Sequence, residues 1–491
     1  MSEQILLQGK ILGIEEFLLS RPSRTGASSG SARSDGEELL AGRSQWITLL
    51  CEVLPRALLA EFGLARVLLG SSGGGQFLLV LPGESREPAA AFLSAAAREI
   101  SSLSGGCLKL LWGVTENLGD WSVVRKRMNE ELQHKRVTPL STTAPEAFQP
   151  FVPAGPSDVD AYFSKELGLN VREATTIGWS PETPAMVHPG SGKHAWNLTT
   201  NLSLDGITLA RHAAPSEDGR SAASVATLAR RAQGRSQWGV LRGDVDSFGV
   251  RLRRLTSIEE HVQLSVLYKQ FFAGELEVLC SMPEFWRKVT ILYSGGDDFA
   301  VYGSWDALLM LAREVQRLFH RFTEENLQDF PGPEGKTISM AIALAPEMHY
   351  PINSVYEDAG RKLELAKAAD KDCIYVLGRI LEWKQLSDAA DLKDTLAKLA
   401  GDSRLSRQFL GELRSLYQRQ SYWGGSASEG PARAWRFQRR LTRILSGTRD
   451  REFQKLRTYL VNEIVGRKSA EVKLRPAGLV ALEWARLMTE V

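Results

Sequence analysis

Two acidic motifs in the second half of the chain have the residue types and spacing for metal-dependent phosphoryl transfer. Asp244 and Asp246 stand at the end of one predicted strand, and residues 295–298 read Gly-Gly-Asp-Asp at the tip of a predicted hairpin. Mg²⁺ or Mn²⁺ takes oxygen ligands, usually one or two carboxylates together with substrate phosphates. Two such ions can activate an attacking hydroxyl and neutralise a leaving pyrophosphate. We therefore predict that Asp244, Asp297 and Asp298 are catalytic and that, with Asp246, they bind the metal.

The glycines before the acidic pair support this interpretation. A side chain at Gly295 or Gly296 would obstruct the close approach of a nucleotide to the backbone. A Gly-Gly-Asp-Asp sequence alone is a weak signal, because Gly and Asp are common in turns. Here an apolar strand flanks the motif on each side and an acidic pair lies on an earlier strand, which favours catalysis over a plain turn.

The elements around these motifs follow the order of a ferredoxin-like palm, β-α-β-β-α-β with a small addition. The spacing of apolar residues predicts strands at 238–245, 289–293, 299–302, 337–345 and 373–377, and helices at 258–280, 305–322 and 354–369. The predicted fold class is therefore α/β (α+β).

The first part of the chain repeats this order. It predicts strands at 5–11, 66–69, 77–81 and 108–113, and helices at 44–62 and 89–103. Aligning Gly9 with Gly243 places Lys10 where Asp244 stands and brings the three glycines at 73–75 to the position of the acidic hairpin. We predict a duplicated palm in which only the second copy keeps the carboxylates. Two unrelated α/β segments are the alternative.

Lys367 and Lys371 end the last palm helix. They are four residues apart, so the pattern predicts that they share a helix face. They could reach a triphosphate as point charges. The alternative is a solvated helix end, where the dipole favours cations.

Charge is unevenly distributed along the chain. The 491 residues include 60 Lys and Arg against 58 Asp and Glu, a net charge of +2. Residues 401–491 hold 18 basic and 9 acidic residues and are predicted to be helical. The densest basic cluster consists of Arg433, Arg436, Arg439, Arg440 and Arg443. The cluster has two possible roles: it could contact nucleic-acid phosphates, or it could be a solvated helix face.

Composition and residue spacing argue against a membrane-spanning, secreted, zinc-binding or disulfide-rich protein. The chain is 43% hydrophobic and 24% charged, which is typical of a soluble globular protein. No apolar run approaches the roughly 18 residues that span a bilayer, and no signal peptide is visible, so we expect a cytoplasmic protein without a membrane partner. The four cysteines form no Cys-x-x-Cys pair, which argues against a zinc site or a disulfide framework. Residues 22–36, 213–222 and 424–430 have the Ser/Gly-rich composition of linkers.

Taken together, the motifs resemble a known family. The segments 242–249, 294–299, 337–339 and 366–367 resemble the catalytic palm of the large polymerase-cyclase subunit of type III CRISPR effector complexes. Residues 14–17, 40–44 and 73–77 resemble the degenerate first palm of the same family, so that the resemblance covers most of residues 4–380.

The resemblance implies synthesis of cyclic oligoadenylates from ATP, switched on when guide RNA pairs with target RNA. Two ATP molecules would lie across the interface of the palms. By position, Asp244, Asp297 and Asp298 would hold the metals, and Gly295 and Gly296 would lie under a nucleotide. Lys367 and Lys371 would contact phosphates. Gly73, Gly74 and Gly75 would help to seat the acceptor ATP.

The implied partners are guide RNA, target RNA and other effector subunits, namely a guide-handle-capping subunit and a small helical subunit. The implied division has a first, degenerate palm at 1–137 and an inter-palm domain or linker at 138–235. A catalytic palm at 236–380 and a helical basic domain at 381–491 follow.

The chain departs from the family in three places. It starts at the first palm and has no His-Asp dipeptide, so we expect no histidine-aspartate nuclease domain and no DNA cleavage by one. The region 138–235 has no cysteine, so the zinc site that many members carry between the palms is not expected. Asp370 and Asp372 flank Lys371 where a Gly and an Asn are usual.

Two other functions compete with the cyclase. A diguanylate cyclase uses a related palm with a Gly-Gly-Asp-Glu-Phe turn. Against it stand Asp298, the duplicated palm, the basic C-terminal region and the missing inhibitory Arg-x-x-Asp. A non-catalytic scaffold that binds guide RNA is the second alternative, and the intact carboxylates of the second palm argue against it.

Overall fold

The computed structural model describes residues 4–20, 34–137, 158–199, 205–219, 221–401, 465–468 and 471–490, together with six single helical residues between 410 and 459. Within this part of the chain, no helix combines the length and apolar character that crossing a bilayer requires. All four cysteines lie in the described ranges as free thiols, three of them buried.

The first palm is a four-stranded antiparallel sheet in the order β2-β3-β1-β4. Its strands are β1 (Gln4–Leu12), β2 (Leu69–Gly73), β3 (Gln76–Pro82) and β4 (Lys109–Glu116). Its helices are α1 (Ile14–Leu19), α2 (Ser34–Glu61), α3 (Arg86–Leu103) and α4 (Trp121–Val137).

Two predicted boundaries in this palm were wrong. The predicted strand 66–69 is a 3₁₀ turn at Arg66–Leu68, and β2 begins only at Leu69. Val67 is 86% exposed, whereas the consecutive residues Leu68 and Leu69 both pack against the core, so this stretch lacks the alternation of faces that a strand requires. Helix α2 begins ten residues before the predicted start, inside the segment 22–36 that was predicted to be a linker.

The described part of the region between the palms is folded. Its helices are α5 (Asp158–Ala161), a π-helical segment (Tyr162–Asn170), α6 (Val171–Glu173) and α7 (Val225–Arg230). Strands β5 (Thr176–Trp179), β6 (His188–Pro189), β7 (His194–Thr199) and β8 (Gly206–Thr208) form a sheet in the order β6-β5-β7-β8. The prediction of a linker at 213–222 was wrong, because Pro215 and Ala222 form a β-bridge and Ala214 N–H donates to Val289 of the second palm at 3.1 Å.

The second palm is a six-stranded sheet in the order β10-β11-β9-β12-β13-β14. Its strands are β9 (Trp238–Val245), β10 (Val289–Ser294), β11 (Asp298–Ser304), β12 (Ile338–Leu344), β13 (Cys373–Val376) and β14 (Arg379–Glu382). Its helices are α8 (Phe248–Arg253), α9 (Ile258–Lys269), a π-helical segment (Gln270–Glu275), α10 (Leu276–Cys280), α11 (Trp305–Asn326) and α12 (Ile352–Ala369). The predicted order of elements is confirmed.

The strand registers confirm the predicted duplication. Gly9 of β1 lies opposite Phe77 of β3, and Gly243 of β9 lies opposite Phe299 of β11. A Cβ atom on Gly9 would lie 2.2 Å from the Phe77 ring, and one on Gly243 would lie 2.3 Å from the Phe299 ring. In both copies the ring of the paired strand therefore occupies the space of the missing side chain, and only glycine fits.

The C-terminal helices pack on the far edge of the second palm. Helix α13 (Trp383–Gly401) packs against α14 (Pro476–Thr489), and Lys393 lies 4.8 Å from the ring centroid of Trp484. Strands β15 (Val465–Lys468) and β16 (Glu471–Leu474) form a separate hairpin. Residues 424–430 and four of the five clustered arginines lie outside the described residues, and Arg439 is helical.

The two palms share their hydrophobic core. Successive residues of a strand point to opposite faces. Leu6 on one face of β1 belongs to the same buried cluster as Leu241 of β9. Leu7 on the other face belongs to a second cluster with Val240. Since both clusters contain residues of both sheets, apolar packing sets the position of one palm on the other.

Candidate active site between the two palms

Three carboxylates of the second palm meet where β9 ends and the β10–β11 hairpin turns. Asp244 on β9 lies directly opposite Asp298 on β11. Asp297 stands at the tip, and its carbonyl accepts a 2.9 Å hydrogen bond from Val245 N–H. Gly295 N–H donates to the Asp298 carbonyl at 2.7 Å and closes the turn. The structure thus brings together the three residues predicted to be catalytic.

Burial and mutual repulsion raise the pKa of these carboxyl groups. Burial, followed by the charges of its acidic neighbours, raises the pKa of Asp297 to about 7. The same two causes raise the pKa of Asp298 to about 6. Burial also raises the pKa of Asp244 despite the nearby Lys367 ammonium. Carboxylates crowded in this way are stabilised when a cation neutralises them.

The donor set is compatible with a hard divalent cation. All candidate ligands are carboxylate oxygens, which Mg²⁺ and Mn²⁺ prefer. Within the described ranges, no group of three or more His, Cys, Asp or Glu side chains, this one included, is arranged to hold a metal ion without further ligands. Mg²⁺ usually binds through one or two carboxylates, water and substrate phosphates, so a partial protein ligand set suits it.

Lys367 projects from α12 into the acidic cluster. Its Nζ lies 2.8 Å from Asp244 Oδ2, and its side chain is 25% exposed. A second carboxylate, Glu364, lies 3.8 Å from the same ammonium. Lys367 therefore stands beside the candidate catalytic residues, and its contact with phosphate stays a prediction.

Lys371 does not share a helix face with Lys367, so that prediction was wrong. Helix α12 ends at Ala369, and Lys371 lies in the following turn with φ +60°. Its ammonium donates to Ser247 Oγ at 2.8 Å. This contact holds the Lys371 ammonium against the loop that follows β9.

Asp246 is buried and fully engaged in hydrogen bonds. Its carboxylate accepts bonds from Thr337 Oγ1 at 2.8 Å, Ser339 Oγ at 2.7 Å and the Asp372 backbone N–H at 2.9 Å. These bonds join the end of β9 to β12 and to the turn before β13. A role of Asp246 as metal ligand stays a prediction, whereas its role in holding these strands is visible.

The glycine hairpins of the two palms face each other. Gly73, Gly74 and Gly75 all have positive φ angles, which favour glycine. A Cβ atom on Gly74 would lie 3.1 Å from the backbone nitrogen of Gly296. A Cβ atom on Gly295 would lie 2.5 Å from Asp298 Oδ1. The predicted nucleotide-seating glycines of both palms thus meet at one place, and the contact itself requires small residues.

A group of residues behind the carboxylates was not predicted from the sequence. Tyr293 donates from its hydroxyl to Asp298 Oδ2 at 3.1 Å. Arg242 lies 4.3 Å above the ring of Tyr356 and 3.3 Å from Glu15 of the first palm. These residues line a cavity of about 480 Å³ that also includes Asp244 and Lys367. Their positions follow from strand alternation, but the partners come from distant parts of the chain.

A second cleft lies on the other side of the hairpins. Its lining includes Gly74, Gly296, Asp297 and Lys269. Lys269 Nζ lies 2.6 Å from Glu52 Oε2 of the first palm. Neither residue of this ion pair was predicted from the sequence to belong to the site. The paired carboxylates and the paired hairpins therefore lie between two cavities, each lined by residues of both palms.

The fold and the site define a class of protein. Two palm domains face each other through glycine hairpins, and only the second carries the acidic residues. Residues 237–375 match the family model described as "Cas10/Cmr2, second palm domain". The predicted resemblance to the large subunit of type III CRISPR effector complexes is confirmed.

Individual relatives agree with this family. A protein of Enterococcus italicus named CRISPR system single-strand-specific deoxyribonuclease Cas10/Csm1 (subtype III-A) is 28% identical over 171 residues, covering 33% of this chain and 21% of the relative. The matched segment thus spans about a fifth of that curated relative. The crystal structure of Csm1 from T. onnurineus superimposes with a TM-score of 0.71 at 17% identity, covering 100% of this chain and 70% of that one. A Csm1–Csm4 cassette in complex with cA4 gives a TM-score of 0.70 at 16% identity, covering 99% of this chain and 70% of that one.

Proposed function

We propose that this chain synthesises cyclic oligoadenylate from ATP within a type III CRISPR effector complex. The observation that best supports this proposal is that Asp244, Asp297 and Asp298 lie together, next to the glycine hairpin of the other palm. Related solved structures hold ATP and cA4, which supports adenine nucleotides as substrate and product. Each joining step would form a bond between an adenosine hydroxyl and the α-phosphorus of a second ATP, and release pyrophosphate.

The residues divide the work as follows. Asp244, Asp297 and Asp298 would hold the Mg²⁺ or Mn²⁺ ions, which supply charge neutralisation at the reacting phosphate. Gly295 and Gly296 leave the backbone open to a nucleotide. Lys367 lies where its ammonium can exchange Asp244 for a phosphate oxygen. The first palm would seat the acceptor ATP on the hairpin at 73–75.

The partners follow from the same proposal. We assign the first palm to 1–137, an inter-palm unit to 138–235, the catalytic palm to 236–380 and a helical basic region to 381–491. Guide RNA, target RNA, a guide-handle-capping subunit and a small helical subunit would bind the assembled protein. Activation by target RNA would require a coupling free energy, through which RNA bound at one site changes the free energy of nucleotide binding at the two palms.

A product assay tests the proposal. The purified protein, alone and assembled with its guide complex and target RNA, is incubated with Mg²⁺ and either ATP or GTP, and the products are identified by mass spectrometry. We expect cyclic oligoadenylate from ATP, with more product when target RNA is present. Product from GTP alone would favour the diguanylate cyclase alternative. No product from either nucleotide in the assembled complex would favour the scaffold.

Tyr293 provides a test of the site that leaves the carboxylates intact. The variant Tyr293→Phe keeps the aromatic ring but removes the hydroxyl that donates a hydrogen bond to the Asp298 carboxylate. Loss of an orienting bond to a ligand carboxylate typically lowers activity by about 10–100-fold. We expect a fall in that range in initial rates of product formation. Tyr350→Phe, at an exposed position of the same palm, serves as control and should keep the parent rate. Equal rates in the two variants would show that Tyr293 does not orient Asp298 for the reaction.

A further inference from the structure

One continuous helical segment, formed by α9 and the π-helical residues after it, contacts the residue that precedes each glycine hairpin. Ser72 and Ser294 occupy equivalent places, because Ser72 pairs with Phe77 and Ser294 pairs with Phe299. Lys269, at the end of α9, donates to Ser72 Oγ at 3.2 Å. Three residues later, the carbonyl of Phe272 accepts a 2.5 Å bond from Ser294 Oγ. The same continuous helical segment therefore holds the base of each hairpin.

The link to the first palm is charged and buried. Lys269 Nζ lies 2.6 Å from Glu52 Oε2, with side-chain exposures of 16% and 2%. The same carboxylate oxygen accepts from Ser72 Oγ at 3.0 Å and pairs with Arg56 at 2.7 Å. Burial acts to raise the pKa of Glu52, but the charges of Lys269 and Arg56 outweigh it and hold that pKa below its ordinary value. An ammonium with these partners has little freedom to move.

The geometry of the hairpins makes their spacing important. Gly74 and Gly296 are so close that a Cβ atom on Gly74 would lie 3.1 Å from the Gly296 nitrogen. Asp297 and Asp298 follow Gly296 directly. A small shift of one hairpin would therefore change the distance between the acidic residues and the surface at 73–75 that faces them.

We propose that Lys269 is a positioning residue that fixes the two glycine hairpins relative to each other. It acts through Glu52 and Ser72 and does not contact the reacting atoms. The kinetic part of this inference rests on the proposed function, whereas its structural part does not. Reaction across two palms requires that both nucleotides be held in register, and a misplacement of about 1 Å can cost about 10²-fold in rate.

The variant Lys269→Met tests this role. It keeps an unbranched side chain, one atom shorter and without charge, and leaves Glu52 paired with Arg56, so the Glu52 carboxylate retains a counter-charge. Hydrogen–deuterium exchange followed by mass spectrometry should show exchange about tenfold faster in the hairpin at 69–76. In the product assay, kcat should fall about 10²-fold while KM for ATP stays within about threefold of the parent value.

Three further variants separate positioning from general damage. Lys269→Arg keeps the charge and should restore kcat to within about threefold of the parent. Ser72→Ala removes one contact of Lys269 without leaving a buried charge, and should also speed exchange at 69–76. Glu61→Gln is the matched control, because Glu61 lies on the same helix α2 in an ion pair with Lys193. It should change neither exchange in the hairpin nor kcat.

The outcomes distinguish this inference from its alternatives. Unchanged exchange at 69–76 in both Lys269→Met and Ser72→Ala would overturn it. A rise in KM at unchanged kcat would overturn it as well, because Lys269 would then bind nucleotide directly. A parent protein that forms no product contradicts the proposed function alone, since the exchange measurement still decides whether Lys269 holds the hairpins.

Discussion

The double variant Asp297→Asn with Asp298→Asn is expected to lose nucleotide turnover and to fold at least as stably as the parent. Removing both carboxylates removes charge that stabilises metal and phosphate, and we expect turnover to fall by at least about 10³-fold. The asparagine side chains keep the size of the originals, and an amide oxygen at 298 can still accept from Tyr293. The measurement is cyclic product per hour in the assembled complex.

The double variant is expected to be at least as stable as the parent because of the direction in which the pKa values of these carboxyl groups are shifted. The folded pKa of Asp297, about 7, lies above the ordinary value of 3.8, so the folded state favours the protonated form. Such a group contributes stability at low pH that is lost as the pH rises through about 7. Asparagine has no charge to bury, so the variant should melt at the same or a higher temperature at pH 8. Active sites often trade stability for function in this way.

A matched control and a contrary outcome complete the test. Asp329→Asn changes an exposed carboxylate on the same palm and should preserve both turnover and melting temperature. If the double variant melts at a clearly lower temperature or no longer assembles, the acidic hairpin is structural. Full turnover in the double variant would remove these two residues from the catalytic set.

The order of elements was predictable because periodicity and motif spacing are local properties. The Gly9 and Gly243 alignment depended only on counting along the chain, and the strand registers reproduce it. The start of α2 was missed because the Ser/Gly-rich composition before residue 36 favours a linker, whereas the helix is held by packing against the π-helical segment of the inter-palm region. Tertiary contacts of this kind leave no local signal.

The contacts that individual side chains make were harder to predict than the positions of the strands and helices that carry them. Asp246 lies two residues after Asp244, and this spacing predicts a second metal ligand on the same side of the chain. The spacing gives no sign that Thr337 and Ser339, from a distant part of the chain, donate to the Asp246 carboxylate. Lys371 follows Lys367 at helical spacing, but the helix ends two residues before it. In both cases the spacing along the chain did not reveal the contact, because residues distant in the sequence or a turn determined it.

The ion pair of Glu52 does leave a signal in the sequence. It lies in an otherwise apolar stretch of α2, four residues before Arg56, and both side chains are buried. A charged pair inside an apolar helix face indicates a buried ion pair, since an unpaired charge there is costly. The third member, Lys269, lies 217 residues away and could be found only from the structure.

Replacing this carboxylate in Glu52→Gln is expected to cause the largest loss of stability among the variants considered. Lys269 and Arg56 would then remain as neighbouring cations with side-chain exposures of 16% and 6% and no counter-charge at that position. Removing one partner of a buried ion pair typically costs about 3–5 kcal/mol of unfolding free energy. Native-state hydrogen exchange of the amides in α2 measures the opening free energy of this palm directly.

Two comparisons show whether burial of the charges is the cause. Glu61→Gln breaks an ion pair on the same helix whose lysine is 52% exposed, and should cost less than about 1 kcal/mol. Adding Lys269→Met to Glu52→Gln removes one of the stranded cations, so the double variant should lose less stability than the two single losses added together. If Glu52→Gln costs no more than Glu61→Gln, or if the two losses simply add, the ion pair does not hold the palms together, and apolar packing between the sheets alone accounts for their fixed arrangement.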